Sequence, residues 1–453
     1  MGLDYSKEDF GPEFKWGVSA SSFQTEGASD ADGKGKSIWD VFSHTRGKIY
    51  QSQKADVACD FYHRYPGDLD LMARMQIPAF RFSLSWSRIL PDGTTRHINN
   101  SGIDFYHRLI DQCLAKGIEP WITLYHWDLP QALEERGGWT NRDVIGWFGD
   151  YVELCIRQFG RKVRRWMILN EPMVFTGTGY FLGLHAPGRR GLNSFLAAIH
   201  HAAMCQAEGG RIVRSMSPDA LVGTTFSCSY IEANTHREAD LRAARRVDAL
   251  LNRLFVEPLA GLGYPIADLK FLRRLEPFIK DGDEARLAFS MDFIGIQNYT
   301  REIVTHAFYI PFMQARIIRA AKRKAEITQM NWEVYPQGIY HMLHKFNQYH
   351  NFKELIVTEN GAAFDDELKD GRVDDPKRKA FLETAIGQVL KARQEGVRVN
   401  GYFIWSFTDN FEWAEGYRPR FGLVYIDYVT QQRIVKESGR WYSRFLGNGS
   451  IDV

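Results

Sequence analysis

The segment RWMILNEP, residues 165–172, is an apolar run that ends in an amide, a carboxylate and a proline. Its length and apolar interior are typical of a strand buried on both faces. A carboxylate directly after such a strand is costly to bury unless it has a partner or a function. The segment therefore predicts a buried strand whose carboxyl end carries chemistry.

Seven further segments have the same form, an apolar run followed by polar or aromatic side chains; they are 14–20, 79–86, 119–127, 221–227, 291–299, 354–361 and 399–407. The sequence between them has helical spacing. One predicted helix face, ending before Gly117, holds Ile103, Tyr106, Ile110, Cys113 and Leu114. Another, ending before Gly396, holds Phe381, Ala385, Ile386, Val389 and Leu390.

Eight strands alternating with helices predict an α/β fold, a single (β/α)8 TIM barrel with long βα loops that occupies residues 1–453 as one domain. A doubly wound open sheet is the alternative fold. It is disfavoured because no GxGxxG turn follows the first strand.

Composition narrows the possible partners. The 57 basic and 55 acidic residues nearly cancel, so neither nucleic acid nor a membrane surface is an expected partner. We find no apolar run long enough to span a membrane and no signal-peptide pattern, and we expect a cytoplasmic protein.

The five scattered cysteines have no CxxC spacing and are expected to be buried thiols. No HxH or comparable ligand cluster occurs, so we expect no metal and no cofactor.

Polar groups recur at the ends of the predicted strands: Arg81, His126-Trp127-Asp128, Asn170-Glu171, Tyr299, Glu359-Asn360 and Trp405. In a TIM barrel these ends meet at one mouth, so we expect one shared polar pocket. Glu171 and Glu359 end the fourth and seventh strands. Two carboxyl groups at one site suit glycoside hydrolysis, in which one protonates the leaving oxygen and the other attacks the anomeric carbon or activates water. The 12 Trp residues fit either a sugar site or an aromatic core.

Several segments resemble those of glycoside hydrolase family 1, the β-glucosidase family, from Phe14 to about Trp441. The matching motifs are NEP at 170–172, TENG at 358–361, SFQTEG at 22–27, YHWDLP at 125–130 and SFTDNFEWAEGY at 406–417. The resemblance implies a retaining β-glycosidase, in practice a β-glucosidase. Such an enzyme hydrolyses terminal non-reducing β-D-glucosyl residues of small-molecule β-glycosides or short oligosaccharides through a covalent glycosyl-enzyme intermediate.

The same resemblance implies roles for individual residues. Glu171 would be the acid/base and Glu359 the nucleophile, with a carboxyl separation of about 5 to 5.5 Å. The rest of the catalytic set would be Arg81, Asn170 and Tyr299. The substrate-binding residues would be Gln24, His126, Trp127, Asn170, Tyr299, Trp332, Trp405, Glu412, Trp413 and Phe421. Gln24, His126, Glu412 and Trp413 would bind sugar hydroxyls, and Trp405 would form the apolar floor.

The chain departs from the common family pattern at a few positions. Leu169 precedes Asn170 where an aromatic or β-branched residue is usual, Phe23 replaces a frequent Tyr, and Gln297-Asn298-Tyr299 replaces Asn-Tyr-Tyr. The basic stretch 308–329 is also less family-like. We expect it to be a solvated basic helix near the entrance, and the alternative is that it shapes leaving-group preference.

Other functions remain open at this point. A transglycosylating β-glycosidase would use the same intermediate with an alcohol acceptor. A non-catalytic sugar-binding protein on this fold would be expected to have lost one glutamate, and both are present. A 6-phospho-β-glycosidase would need phosphate ligands where Glu412 and Trp413 stand, and a carboxylate there would repel the phosphate.

Overall fold

A computed structural model describes residues 5–447, in which eight parallel strands close into a barrel. In chain order they are β1 Lys15–Ser19, β2 Ala79–Ser83, β3 Glu119–Tyr125, β4 Arg165–Asn170, β5 Leu221–Ser227, β6 Phe293–Gln297, β7 Glu354–Asn360 and β8 Val399–Trp405. Each strand pairs with its neighbours in the chain, and β1 closes the barrel against β8. The predicted (β/α)8 barrel and its eight strands are confirmed, and the open sheet is wrong.

Helices surround the barrel. The longer ones are Phe61–Arg74, Asn100–Ala115, Val144–Phe159, Leu192–Met216, Glu238–Asp248, Gly338–Phe346, Pro376–Gln394 and Glu437–Leu446. Short α-helices lie at Ser22–Thr25, Ile38–Ser43, Trp86–Ile89, Gln131–Glu134, Pro172–Thr176, Val256–Leu259 and Asp283–Leu287. Within the described residues, no helix has both the length and the apolar character needed to cross a membrane.

The predicted helix faces are buried with one exception. All five apolar residues of the face before Gly396 are buried, whereas Leu114 in the last turn of Asn100–Ala115 is 45% exposed. Gly117 and Gly396 follow their helices with φ of 71° and 90°, a conformation that glycine adopts without steric cost. Leu114 therefore lies at the solvent-exposed edge of this face, whereas its neighbour Cys113 is fully buried.

Large side chains fill the lower barrel. The cluster consists of Ala79, Trp121, Met167, Phe293, Ile356 and Phe403. Glycine makes room for the rings, since a Cβ on Gly223 would lie 2.3 Å from Phe293. The barrel is therefore a packed core, and space for a ligand is left at the carboxyl ends of the strands. All five cysteines are buried free thiols, as expected.

The loops carry small sheets of their own. One contains Tyr230–Ala233, Arg301–His306 and Ala315–Ile317. The others are the hairpins Leu368–Lys369 with Arg372–Val373 and Val424–Ile426 with Arg433–Val435.

The three-stranded sheet corrects the prediction for stretch 308–329, which is not a continuous helix. It contains the strand Ala315–Ile317 and a single 3-10 turn, Ala320–Arg323. Arg323 is not a freely solvated cation, because it binds Glu333 over 2.5 Å. Strand pairing and this ion pair fix the segment beside the barrel mouth.

Candidate active site

A cavity of about 280 Å³ opens at the carboxyl ends of the strands. Ten of the predicted site residues line it: His126, Trp127, Glu171, Tyr299, Trp332, Glu359, Trp405, Glu412, Trp413 and Phe421. The other three predicted residues, Gln24, Arg81 and Asn170, lie behind this lining and are almost fully buried. The structure therefore brings the thirteen predicted residues together, either in the cavity lining or in the buried layer behind it.

Glu359, at the end of β7, has a different partner on each carboxyl oxygen. Arg81 Nη1 donates to Oε1 over 2.5 Å, and the Tyr299 hydroxyl donates to Oε2 over 2.6 Å. Burial raises the pKa of Glu359, and Arg81 and Tyr299 oppose that rise. Because Glu171 has no such cation in direct contact, Glu359 is the carboxyl that ionises first.

Glu171 follows β4 and is 7% exposed. Its φ of 46° is left-handed, and Pro172 begins a short helix directly after it. This conformation is costly for a residue with a side chain, and such residues concentrate at functional sites. Burial, and next the charge of Glu359, raise the pKa of Glu171 to about 8, while Ser227 and Arg81 act in the opposite direction. Glu171 is therefore a protonated acid at neutral pH.

Asn170 connects the two carboxyl sites. Its Oδ1 accepts hydrogen bonds from Arg81 Nη2 over 2.5 Å and from Thr225 Oγ1 and Gln297 Nε2 over 2.9 Å each. Three donors on one atom fix the orientation of the amide, so its nitrogen faces His126 Nε2 at 3.0 Å.

His126 is neutral, since burial and the nearby Arg81 hold its pKa well below the ordinary range. Its Nε2 accepts from Asn170, so the proton lies on Nδ1. This nitrogen has no hydrogen-bond partner within residues 5–447. His126 lines the cavity with another part of its ring, because this nitrogen has almost no surface open to a ligand.

Glu412 projects from the loop after β8. Gln24 Nε2 donates to its Oε2 over 3.2 Å and also to Asn410 over 3.1 Å. Burial raises the pKa of Glu412 to about 8, and the charge of Glu359 adds to the rise. Gln24 thus lies behind Glu412 and does not line the cavity, so its direct contact with a sugar stays a prediction.

Aromatic rings form the remaining walls. Trp127 and Trp413 have ring centroids 4.5 Å apart and left-handed φ values of 77° and 51°. Trp332 packs on Tyr299 at 5.3 Å and on Phe421 at 6.2 Å. Flat apolar walls beside carboxyl groups suit a ligand with C–H faces and hydroxyl edges.

Sequence reasoning missed several residues of this site. Thr225 and Gln297 bind Asn170, and Ser227, His185, Glu302 and Glu415 line the cavity. Thr225 and Gln297 could have been identified from the sequence, because each is a polar side chain in an apolar strand. Glu302 could not, because it belongs to a strand outside the barrel.

Five glutamates line the cavity: Glu171, Glu302, Glu359, Glu412 and Glu415; its lining includes no lysine or arginine. Arg81, the cation that contacts Glu359, lies beneath the floor. No group of three or more His, Cys, Asp or Glu within 5–447 is arranged to hold a metal ion. Because no lysine or arginine lines the cavity, no lining cation is present to pair with a phosphate, and this favours unphosphorylated ligands.

Comparison with known proteins agrees with this geometry. The chain is 43% identical to "Beta-glucosidase A" of Thermotoga maritima, over 97% of the chain and 98% of that protein. It is 42% identical to "1,4-beta-D-glucan glucohydrolase" of Thermotoga neapolitana, over 97% and 98%. A solved "Beta-glucosidase from Thermotoga maritima in complex with deoxynojirimycin" superposes with a TM-score of 0.93 at 42% identity, covering 96% of the chain and 98% of that structure.

The model of "Glycosyl hydrolase family 1" matches residues 6–450, which is nearly the whole chain. With the closed barrel and the two glutamates at the ends of β4 and β7, this match identifies the family. The chain belongs to glycosyl hydrolase family 1.

Proposed function

We propose that this chain is a retaining β-glucosidase, with Glu359 as nucleophile and Glu171 as acid/base. The main support for the proposal is that these two carboxyl groups differ in their partners and in their pKa. Glu359 is held by Arg81 and Tyr299, while burial and the charge of Glu359 raise the pKa of Glu171 to about 8. Glycoside hydrolysis requires one carboxylate and one carboxylic acid at the same site, and membership of glycosyl hydrolase family 1 supports the retaining course.

In the first step a Glu359 oxygen attacks the anomeric carbon while the bond to the leaving oxygen breaks. Glu171 gives its proton to that oxygen, and the product is a glucosyl ester of Glu359 with the free alcohol. The ester is neutral, so Glu171 loses the charge that helped to raise its pKa and becomes a carboxylate more readily.

In the second step Glu171 removes a proton from water, and the water oxygen attacks the anomeric carbon. The ester bond breaks, which returns Glu359 as a carboxylate, and β-glucose leaves. Two inversions at one carbon give net retention. Glu171 ends the cycle protonated.

The remaining site residues are proposed to hold the sugar. Glu412 can bind two vicinal hydroxyls, His126 lines the cavity, and Trp405 offers an apolar face. The absence of lysine and arginine from the lining argues against a phosphorylated sugar. The names of the two relatives, a beta-glucosidase and a 1,4-beta-D-glucan glucohydrolase, support a terminal β-glucosyl residue as the substrate.

The test uses purified enzyme, p-nitrophenyl β-glucoside and no added metal. We expect turnover by the wild type and, with azide, α-glucosyl azide from Glu359→Gly and β-glucosyl azide from Glu171→Ala. Glu134→Gln is the matched control, because Glu134 is a buried carboxyl outside the cavity with a raised pKa. Full activity of Glu359→Gly or Glu171→Ala without azide would overturn the role of that glutamate. Inactivity of the wild type on β-glucoside, β-galactoside and β-fucoside would contradict the proposal.

A further inference from the structure

An exposed aromatic loop ends the hairpin formed by Arg301–His306 and Ala315–Ile317. Phe308 is 79% exposed, Tyr309 59% and Phe312 50%. We call these three side chains the aromatic tip. The rings of Phe308 and Tyr309 touch each other, with centroids 5.7 Å apart. Single exposed apolar residues are normal on a protein surface, whereas several large ones together mark an interaction site.

The aromatic tip is fixed in place from its inner side. Met313, directly after Phe312, packs against the buried cluster between the hairpin and the helix Glu238–Asp248. Arg246 Nε donates to the carbonyl oxygen of Met313 over 2.5 Å, and its Nη2 donates to that of Gln314 over 3.1 Å. An anchored loop therefore presents the rings, and little conformational entropy is lost when a partner covers them.

Cations follow the aromatic tip along the chain. Four of them are exposed: Arg316, Arg319, Lys322 and Lys324. Their side chains form no hydrogen bond or ion pair with another residue of the described range 5–447. No acidic residue lies between Glu302 and Glu326 in the sequence. The return strand and the turn after it thus carry positive charge that is open to an external partner.

More positive charge lies against the aromatic tip from another element. The 3-10 helix Lys270–Phe278 begins with the segment KFLRR. The ring of Phe271 lies 6.0 Å from that of Phe312, and the Arg274 guanidinium lies 5.5 Å from the Phe312 ring. The 57 basic and 55 acidic residues of the whole chain nearly cancel, but this surface is strongly basic. The overall balance, which predicts no membrane partner, therefore does not describe it.

Three kinds of partner differ in how well they match this surface. Aromatic rings enter the boundary between headgroups and acyl chains of a bilayer, while Lys and Arg bind anionic headgroups. A second copy docked face to face on the same surface would bring like charges together. Nucleic acid would suit the cations, but the segment 308–313, FYIPFM, also contains isoleucine, proline and methionine, which offer no aromatic face to a base. An anionic lipid surface fits best.

We infer that the aromatic tip and the cations around it dock this enzyme on an anionic lipid bilayer. The rings of Phe308 and Tyr309 enter the headgroup region, and the exposed cations bind lipid phosphates. Docking of this kind is peripheral and reversible, because a few rings and a basic surface form a shallow anchor. It does not depend on the proposed β-glucosidase activity, since none of these residues lines the catalytic cavity.

The test measures co-sedimentation of the purified enzyme with vesicles of phosphatidylcholine, alone or mixed with phosphatidylglycerol, in dilute buffer and at physiological salt. The tip variant, Phe308→Ser with Tyr309→Ser, removes the two most exposed rings. The charge variant, Arg316→Gln with Lys322→Gln and Lys324→Gln, removes three cations and keeps polar side chains.

Each variant has a matched control. Val429→Ser removes an apolar side chain that is 92% exposed on a different loop. Arg161→Gln with Lys162→Gln and Arg164→Gln removes three exposed cations just before β4, at the end of the barrel opposite the cavity. The melting temperature shows that each variant is folded. Turnover of p-nitrophenyl β-glucoside by the wild type without vesicles tests the proposed function separately.

We expect the wild type to bind anionic vesicles, to leave neutral ones unbound, and to bind more weakly as the salt concentration rises. The tip variant should bind at least about tenfold more weakly, because two rings no longer leave water. The charge variant should bind about 100-fold more weakly, since each cation near an anionic surface contributes about fivefold. Both controls should bind as the wild type does.

Absence of wild-type binding to anionic vesicles would overturn the inference, and so would losses in the matched controls equal to those in the variants. Self-association, or binding of single-stranded RNA, that is lost in both variants while vesicles stay unbound would assign the surface to another partner and contradict the inference as well.

Discussion

Arg81 Nη1 lies 2.5 Å from Oε1 of Glu359, and both side chains are almost completely removed from solvent. The other guanidinium nitrogen, Nη2, binds Asn170 Oδ1. One cation thus links the residue that precedes Glu171 to the carboxylate across the barrel mouth. A substitution of Arg81 should therefore affect both the nucleophile Glu359 and, through Asn170, the acid/base Glu171.

We expect Arg81→Met to lower kcat/KM on p-nitrophenyl β-glucoside by about 10²- to 10⁴-fold. Removing one donor that stabilises charge at a reacting group costs about 10²- to 10³-fold in rate, and the higher pKa of Glu359 without Arg81 adds to that loss. Because Arg81 opposes the rise in the pKa of Glu359, its loss should also move the acidic limb of the pH–rate profile upward.

Arg433→Met serves as the control for Arg81→Met, since it breaks the Arg433–Asp68 pair, which is also mostly buried but lies outside the cavity. It should affect stability and leave the pH–rate profile in place. An unchanged acidic limb in Arg81→Met would contradict the link between the two residues.

The pH dependence of turnover should depend on the leaving group. The first step needs Glu171 protonated, and its pKa is raised to about 8, so kcat/KM for an alkyl β-glucoside should fall as the pH rises through about 8. A dinitrophenolate leaves without a proton, so the dinitrophenyl glucoside should lack this limb. The measurement is kcat/KM from pH 5 to 10 with both substrates. An identical alkaline limb for both would rule out Glu171 as its source.

The raised pKa of Glu171 has a cost in stability. The folded protein holds this proton up to about pH 8, whereas the unfolded chain releases it near the ordinary pKa of 4.5, so stability is lost as the pH rises from that value through about 8. Glu171→Gln removes the titration and should raise the melting temperature by several degrees at pH 9 but little at pH 5. A constant difference at both pH values would show that Glu171 does not titrate in this way.

Lys436 forms a buried ion pair with Asp409 in the loop after β8. Its Nζ lies 2.5 Å from Asp366 Oδ2 and 2.6 Å from Asp409 Oδ1, and all three side chains are fully buried. Lys436→Met should destabilise the fold by about 3 kcal/mol, the lower end for breaking a buried pair, because each aspartate keeps an arginine partner. The measurement is the urea midpoint.

The comparison variant for Lys436 is Lys353→Met. Lys353 pairs with Asp292 but is 73% exposed, so its loss should cost less than about 1 kcal/mol. Equal midpoints for the two variants would show that burial does not set the strength of the Lys436 cluster.

The barrel could be predicted because its strands are buried on both faces and therefore contain continuous apolar runs, such as 166–169. The loop sheet could not. Its strand Ala315–Ile317 is only three residues long and has the charged Arg316 at its centre, and it pairs with the strand Arg301–His306. The expected basic helix in stretch 308–329 is therefore wrong.

The candidate site could be predicted where its side chains lie at the carboxyl ends of the barrel strands. Glu171, Glu359 and His126 stand directly after or at the end of apolar runs. The partners of Asn170 depend on register between neighbouring strands, and Thr225 and Gln297 are brought to it by pairing that no local pattern contains. Glu302 reaches the cavity from a strand outside the barrel, so only the folded chain places it there.

The burial of Arg81 beneath the cavity floor also determines how turnover responds to ionic strength. Dissolved ions screen exposed charges that lie more than about 8 Å apart at physiological salt, but they screen a mostly buried pair in direct contact much less. Arg81 and Glu359 form such a pair. Turnover of uncharged glucosides should therefore be nearly the same in dilute buffer and in concentrated brine, up to the concentration at which the fold itself is lost.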